Sequence, residues 1–492
     1  MNQSHLIVKE KILALESSFE VDQWIVNGIH IWPYVRIKLY FLLLRNSNLE
    51  PNTDNSANDN RKNKIDKKWI DNLKLALNLV TGLFRVESFF LSLKKKKIVF
   101  FGAHFHRVKH GQEYFNRFFD AMVSHHQLEK EVYMIEYQKV YQYNYNQKAI
   151  IPLERLLEDF KLVMKLKAQF QSQRNNYSLN DYQDFLSVVE DEIENTKMLK
   201  ITIKDLLKWS TKIQNLAIFY KRFYLKVKPD KIIFSGYFGW DDLYAAVLTA
   251  NNLNIKTIDF QHGTQSNVHM VFSSWTKMPL EGFNIMPKQY WSWDEKSKVC
   301  IDYWAKNTSN IITKVVGQPY LQYWKQKNSN LKPENKVILY TLNLMPLSEM
   351  FNKKLGESIN DSECSWAIRL HPRNEFSIDD IKFYLDSLGV DKRNYDIHDA
   401  KEVPLPEIMS KAVIHITAFS GSVIEAKMMG VPSVIINSIG KEIYKDYIDS
   451  EFIYFINQTS TSFKTDFLRL FHQIKENKYI FEKQNIVNPL LT

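Results

Sequence analysis

From residue 98 onward the chain alternates short apolar runs with segments of helical period, and this alternation restricts its fold more than any other feature. "IVFFG" (98–102) is a continuous apolar run ended by glycine, the pattern of a strand buried on both faces of a parallel sheet. The runs "VYMIEY" (132–137), "KIIFSG" (231–236), "IKTIDF" (255–260), "QYWSW" (289–293) and "ITKVVG" (312–317) follow. Residues 153–170 and 243–252 lie between them with helical spacing. Strands alternating with helices predict a parallel sheet covered on both faces. The pattern restarts at "KVILYTL" (336–342) and continues through "WAIRL" (366–370), "AVIHITA" (412–418) and "PSVIIN" (432–437).

The polar stretch 317–336 predicts the boundary between two units, and 492 residues exceed what one hydrophobic core usually serves. The expected architecture is therefore α/β: two Rossmann-like domains, 98–325 and 326–492, whose strand carboxyl ends share a central cleft. A helical N-terminal region, 1–97, precedes them and contains a polar linker at 47–68.

Composition excludes several classes. Two cysteines, Cys300 and Cys364, supply neither a disulfide framework nor a thiolate zinc site. The N-terminus lacks the apolar core and cleavage site of a signal peptide. Pro33, Arg36 and Lys38 interrupt "IHIWPYVRIKLYFLLLR" (29–45) before it reaches the roughly 18–20 apolar residues of a membrane span. These features predict a cytoplasmic protein. A net charge of +10 predicts an anionic partner. No nucleic-acid-binding signature accompanies it, so a phosphate-bearing small molecule or anionic lipid is expected instead. Because a helical run at 69–93 ends in Lys94–Lys97, residues 1–97 are expected to touch the inner face of a membrane peripherally.

Two motifs in the second unit suit an anion. In "IRLHPRNEF" (368–376) a strand delivers His371, whose backbone Pro372 restrains; the imidazole can donate to a phosphate oxygen, and Arg373 adds charge. In "HITAFSGSVIEAKMMG" (415–430) a strand passes through Ser420, Gly421 and Ser422 into a helix, whose N-terminal N–H groups attract anions. Glu425 suits either a capping box or a ribose hydroxyl.

The first unit offers the other wall. "FSGYFGWDDLYAAVL" (234–248) opens a helix with Asp241 and Asp242. One acid is expected to cap that helix, Asp242 being favoured, which leaves Asp241 to act as base or nucleophile. "IDFQHGTQSN" (258–267) brings Gln261, His262 and Gly263 to the same edge. Gln261 and His262 suit hydroxyl or carboxylate recognition, His262 also acid–base work, and Gly263 a tight turn or close approach. "FGAHFHRVKHGQEYF" (101–115) clusters His104, His106 and His110 with Arg107 and Lys109. Their spacing fits no metal motif, and a basic loop gripping a charged substrate is expected, with no metal.

"DFQHG", "LHP" (370–372) and "FSGSVIEAKMMGVPSV" together resemble bacterial glycosyltransferases of the GT-B type from capsule or lipopolysaccharide assembly. The resemblance is in particular to the Kdo- and sialic-acid-type transferases that use CMP-sugars. It covers roughly residues 98–455. The acidic motif of the sialyltransferases, two acids followed by glycine, is not reproduced by "WDDLY". The resemblance implies that His371–Pro372 and Ser420–Gly421–Ser422 hold the cytidine nucleotide. It also implies metal-independent transfer of an acidic sugar, without a cofactor, to an oligosaccharide or glycolipid acceptor. Competing readings are a UDP- or other NDP-sugar transferase of the same fold, a teichoic-acid-type polyol-phosphate transferase, and a non-enzymatic export or scaffold protein.

Overall fold

The computed structural model describes residues 4–45, 68–137, 140, 143–168, 176–327, 337–448 and 452–476, with side chains from residue 79 in the helix 68–92. The polar linker expected at 47–68 falls almost wholly outside them.

The first sheet has seven parallel strands: β3 (Ile98–Ala103), β6 (Val132–Tyr137), β7 (Ile150–Pro152), β9 (Lys231–Phe234), β10 (Lys256–Phe260), β11 (Gln289–Ser292) and β12 (Ile312–Val315). Their order is β12-β11-β10-β9-β3-β6-β7. The second sheet has six parallel strands, ordered β15-β14-β13-β16-β17-β18. These are β13 (Val337–Thr341), β14 (Ser365–Arg369), β15 (Tyr395–His398), β16 (Ala412–Thr417), β17 (Ser433–Ile435) and β18 (Ile453–Phe455). Smaller pairings join β1 (Ile25–Val26) to β2 (Ile29–His30) and β8 (Tyr177–Ser178), and β4 (Arg107–His110) to β5 (Glu113–Asn116). Each large sheet reverses its strand order once, between β3 and β9 in the first and between β13 and β16 in the second. Ligands of open α/β sheets bind outside the carboxyl ends at such reversals. Two Rossmann-like domains facing each other in this way, with an added helical region, make a GT-B-type fold.

The helices α1 (His5–Ser18) and α2 (Trp32–Arg45) share one core with the first sheet. Arg36, which interrupts the apolar run at 29–45, is fully buried there. Its guanidinium pairs with Glu16 at 2.9 Å, donates to the carbonyls of Met270, Ser273 and Ser274, and lies 3.9 Å from the Trp275 ring centroid. A buried charge survives only when its donors are answered in this way. Behind the first sheet run α3 (Lys68–Ser92), α5 (Leu153–Ala168) and α7 (Ile203–Val227). Further helices of this domain include α4 (Phe119–His125), α6 (Tyr182–Glu192) and α8 (Asp241–Asn252). No helix among the described residues is long and apolar enough to cross a membrane.

The domains are packed together. Phe118 and Trp293 of the first share a buried cluster with Val423 and Tyr444 of the second. Tyr447 donates to Asp294 at 2.9 Å, Asn267 to Asp446 at 2.8 Å, and Lys109 pairs with Glu402 at 2.6 Å.

Candidate active site

The two strand-order reversals meet at a cavity of about 270 Å³ between the domains. From the first domain it is lined by Phe105, His106, Arg117, His262, Gly263 and Trp293. From the second it is lined by Thr341, Arg369, the run Leu370–Arg373, the run Ser420–Ser422 and Glu425. Three guanidiniums and three imidazoles thus surround one carboxylate. Arg117 and Arg373 form no ion pair among the described residues, and the buried Arg117 Nε has no hydrogen-bond partner among them. Arg373 reaches across the cleft to the Phe105 ring, 5.5 Å from its centroid. The Arg369 guanidinium donates to the Ala400 and Val403 carbonyls, and burial lowers its pKa to about 10, helped by Arg117.

His371 follows β14 in the turn that Pro372 shapes. Its Nδ1 accepts the Arg373 backbone N–H at 3.1 Å, which leaves Nε2–H as the donor of the neutral ring. Burial, with Arg373, Arg117 and Arg369 nearby, lowers its pKa to about 4. The helix Ser422–Met429 begins at the cavity wall. The Ser422 hydroxyl is buried and engaged with Thr341 Oγ1 at 2.9 Å and His415 Nε2 at 3.1 Å. The Ser422 backbone N–H donates to Ser420 Oγ at 3.3 Å, so neither it nor the hydroxyl expected from the sequence is free for a ligand. Glu425 accepts from Gln318 Nε2 at 3.2 Å, and burial raises its pKa. Of the two expected roles for Glu425 the capping box is absent, since the residue before the helix is Gly421, which has no side chain to make a capping bond.

On the opposite wall, His262 leaves β10 and packs over Gly236. Gly236 has φ +89°, and a Cβ there would lie 2.9 Å from His262 Cε1. Only glycine meets both conditions. Gly263, where glycine was expected to be needed, has no positive φ, and a Cβ there would touch nothing. Burial, aided by Arg117 and Arg373, lowers the His262 pKa to about 4. His106 is buried beside it, ring centroids 5.8 Å apart, with Nδ1 3.1 Å from Ser235 Oγ.

Several expected contacts belong to the scaffold. Arg107 is buried; it pairs with Glu136 at 2.7 Å and Asp120 at 3.0 Å, so it cannot grip a substrate. Gln261 is also buried, accepting from Trp293 N at 2.6 Å and donating to the Gly263 carbonyl at 2.9 Å. It braces the turn that carries His262. His110 packs against Phe115, Tyr320 and Tyr323, and His104 does not line the cavity. Neither aspartate caps α8, since the capping position is Trp240, and neither lines the cavity. Asp241 accepts from Trp209 Nε1 at 3.0 Å and pairs with Lys212 at 2.5 Å, while burial raises the Asp242 pKa. No group of three histidine, cysteine or acidic residues suited to a metal occurs among the described residues.

No family profile and no curated protein matches the chain. Solved structures similar to it include the UDP-GlcNAc 2-epimerase from Neisseria meningitidis bound to UDP-GlcNAc, at 14% identity over 77% of this chain and 92% of that one, TM-score 0.42. A UDP-GlcNAc 2-epimerase from Methanocaldococcus jannaschii, in complex with UDP-GlcNAc and UDP, gives 14% identity over 78% and 93%, TM-score 0.42. A calicheamicin glycosyltransferase gives 10% over 77% and 94%, TM-score 0.37. These likenesses are of fold alone. They correct the expected family, because the similar structures are UDP-sugar epimerases and an antibiotic glycosyltransferase, not Kdo- or sialic-acid-type CMP-sugar transferases. The CMP-sugar donor and the placement in capsule or lipopolysaccharide assembly, both drawn from "LHP" and "FSGSVIEA", fall with it.

Proposed function

We propose that the protein is a glycosyltransferase using a nucleoside-diphosphate sugar, with an oligosaccharide or glycolipid as acceptor. The observation that carries this reading is the charge of the cavity: Arg117, Arg369 and Arg373 face a single carboxylate, Glu425. That excess matches two phosphates better than the single phosphate of a nucleoside monophosphate. The diphosphate oxygens accept from the guanidiniums and from His371 Nε2–H, beside the N-terminal end of the Ser422 helix. The same donors stabilise charge on the departing diphosphate, which is what a metal ion would otherwise do. Metal-independent catalysis is therefore part of the proposal.

The acceptor approaches the first domain, where His262 is neutral near pH 7 and positioned to take the acceptor hydroxyl proton as the new bond forms. A bound diphosphate adds negative charge beside this ring and raises its basicity. The enzyme works in the cytoplasm, in peripheral contact with the inner face of an anionic membrane; the lysines that follow α3 support this placement.

Calorimetric titration with UDP, GDP and CMP, each with and without a chelator, tests the reading. A nucleoside diphosphate should bind at least about tenfold more tightly than CMP, the value of one further charge-assisted hydrogen bond. Arg117→Ala should remove that margin, and the chelator should leave it unchanged. Equal affinity for CMP and the diphosphates would overturn the proposal.

A further inference from the structure

The outer faces of α3 and α7 leave large apolar side chains in solvent. Phe84 is 75% exposed, Leu91 76%, Ile218 52% and Leu225 55%. These four residues form one patch. The ion pair between Glu87 and Arg222, 2.6 Å, joins the helices side by side. Phe84 and Leu91 lie three and four residues either side of Glu87, and Ile218 and Leu225 four and three either side of Arg222, so all share its face. The Arg222 guanidinium itself lies 4.1 Å from the Phe90 ring centroid.

The rim of the patch is basic. The chain leaving α3 runs beside the end of α7, where the Lys96 N–H donates to the Val227 carbonyl at 3.0 Å. This brings Lys94 and Lys95 to the same end as Lys226 and Lys228, with Lys221 on the α7 flank. All five are exposed, and none pairs with a carboxylate among the described residues. Lys96 and Lys97 are committed otherwise, to the Lys130 carbonyl and to Glu131. The four-lysine run is therefore only half of the basic rim, and α7 supplies the other half.

We propose that this α3–α7 face is the surface by which the protein docks on an anionic lipid bilayer. The four apolar side chains enter the headgroup–acyl boundary while the lysines remain at headgroup level, as their long stems permit. The complementarity of charge selects this occupant, because a bilayer of anionic lipid satisfies an apolar centre and a basic rim at once. The proposal rests on the peripheral-membrane part of the preceding reading and names the surface responsible. It is independent of which nucleotide the cavity holds.

The test uses the full chain and flotation with vesicles of phosphatidylcholine alone or mixed one-to-one with phosphatidylglycerol. The mixed vesicles should capture the protein and the neutral ones should not, and capture should fall as salt rises. The triple variant Phe84→Ser, Leu91→Ser, Leu225→Ser should lose capture while its melting temperature and nucleotide binding persist, since all three side chains sit in solvent. Replacing Lys94, Lys95, Lys226 and Lys228 by Gln should lower partitioning at least about tenfold. If the wild type ignores mixed vesicles, the membrane reading falls and the proposal with it. If the wild type is captured and the triple variant is captured equally, the membrane reading stands and this surface is wrong. If the patch instead drives lipid-free dimerisation that the triple variant abolishes, seen by light scattering, a second copy is the occupant and the proposal is overturned.

Discussion

Asp241 Oδ2 lies 2.5 Å from Lys212 Nζ, and this pair fastens the first turn of α8 to α7 outside the cavity. Asp241→Asn should therefore cost stability and leave catalysis intact. The pair is partly exposed, so the loss should be at most about 1 kcal/mol in denaturant titration. Initial rates within a factor of two of the parent are expected; an inactive but folded variant would return Asp241 to the chemistry.

Arg107 and Glu136 demand the opposite behaviour. Removing one partner of a buried ion pair leaves the other charge uncompensated. Arg107→Met should destabilise the first domain by about 3–5 kcal/mol, read from the denaturation midpoint. Nucleotide affinity, measured well below that midpoint, should hardly move, whereas a residue touching substrate would show its largest effect there.

Gly236→Ala probes the seat of His262. The added methyl meets the imidazole and occupies a left-handed backbone conformation. The ring must shift, and a displacement approaching 1 Å lowers kcat by up to roughly a hundredfold. Donor affinity should change little, because the diphosphate contacts lie mainly on the other wall. Steady-state kinetics beside a nucleotide titration separates the two effects.

Acid should weaken the fold through its buried histidines, His262, His371 and His415 among them. His262 and His371 are held at about 4 and His415 at about 3, each mainly by burial, against 6.5 for the ordinary imidazole. Between those values the unfolded chain takes up protons that the folded chain refuses. Their contribution to stability is therefore complete above pH 6.5 and lost as pH falls toward about 4, with His415 continuing to about 3. The slope is at most about 1.4 kcal/mol per pH unit for each histidine. Melting curves across this range should show it, and His415→Gln should flatten it.

The buried strands were legible because burial on both faces writes an unbroken apolar run. All six runs read in the first domain and all four in the second are strands. In the two large sheets those missed, Ile150–Pro152, Tyr395–His398 and Ile453–Phe455, are all edge strands, where pairing on one side only does not demand an unbroken apolar run. The turns carrying His262, His371 and Ser420–Ser422 were also readable, since a strand, a turn and a helix are local features. Arg117 was not readable. It enters the cavity only because the β4–β5 hairpin folds back, with the Arg117 N–H on the His106 carbonyl at 3.0 Å, a relation no spacing encodes. Arg369 stood two residues before His371 in the quoted motif. Its position at the end of a buried strand, where an unpaired charge is costly, was the signal that went unused. Asp241 and Asp242 misled because adjacency to the cleft edge in sequence does not fix which face of α8 they occupy.

Gly421 stands at van der Waals distance from Thr264, where a Cβ would lie 3.5 Å from its backbone N. The same two loops are tied by the Thr264 hydroxyl on Tyr444 at 2.8 Å and the Tyr444 hydroxyl on the Ser420 carbonyl at 2.6 Å. The loop assigned to the phosphates is thus also the latch of the interdomain seam. On the proposed reading, the contacts that hold the phosphate loop in place would also resist parting of the domains, so nucleotide entry and release would both work against the Thr264–Tyr444–Ser420 chain.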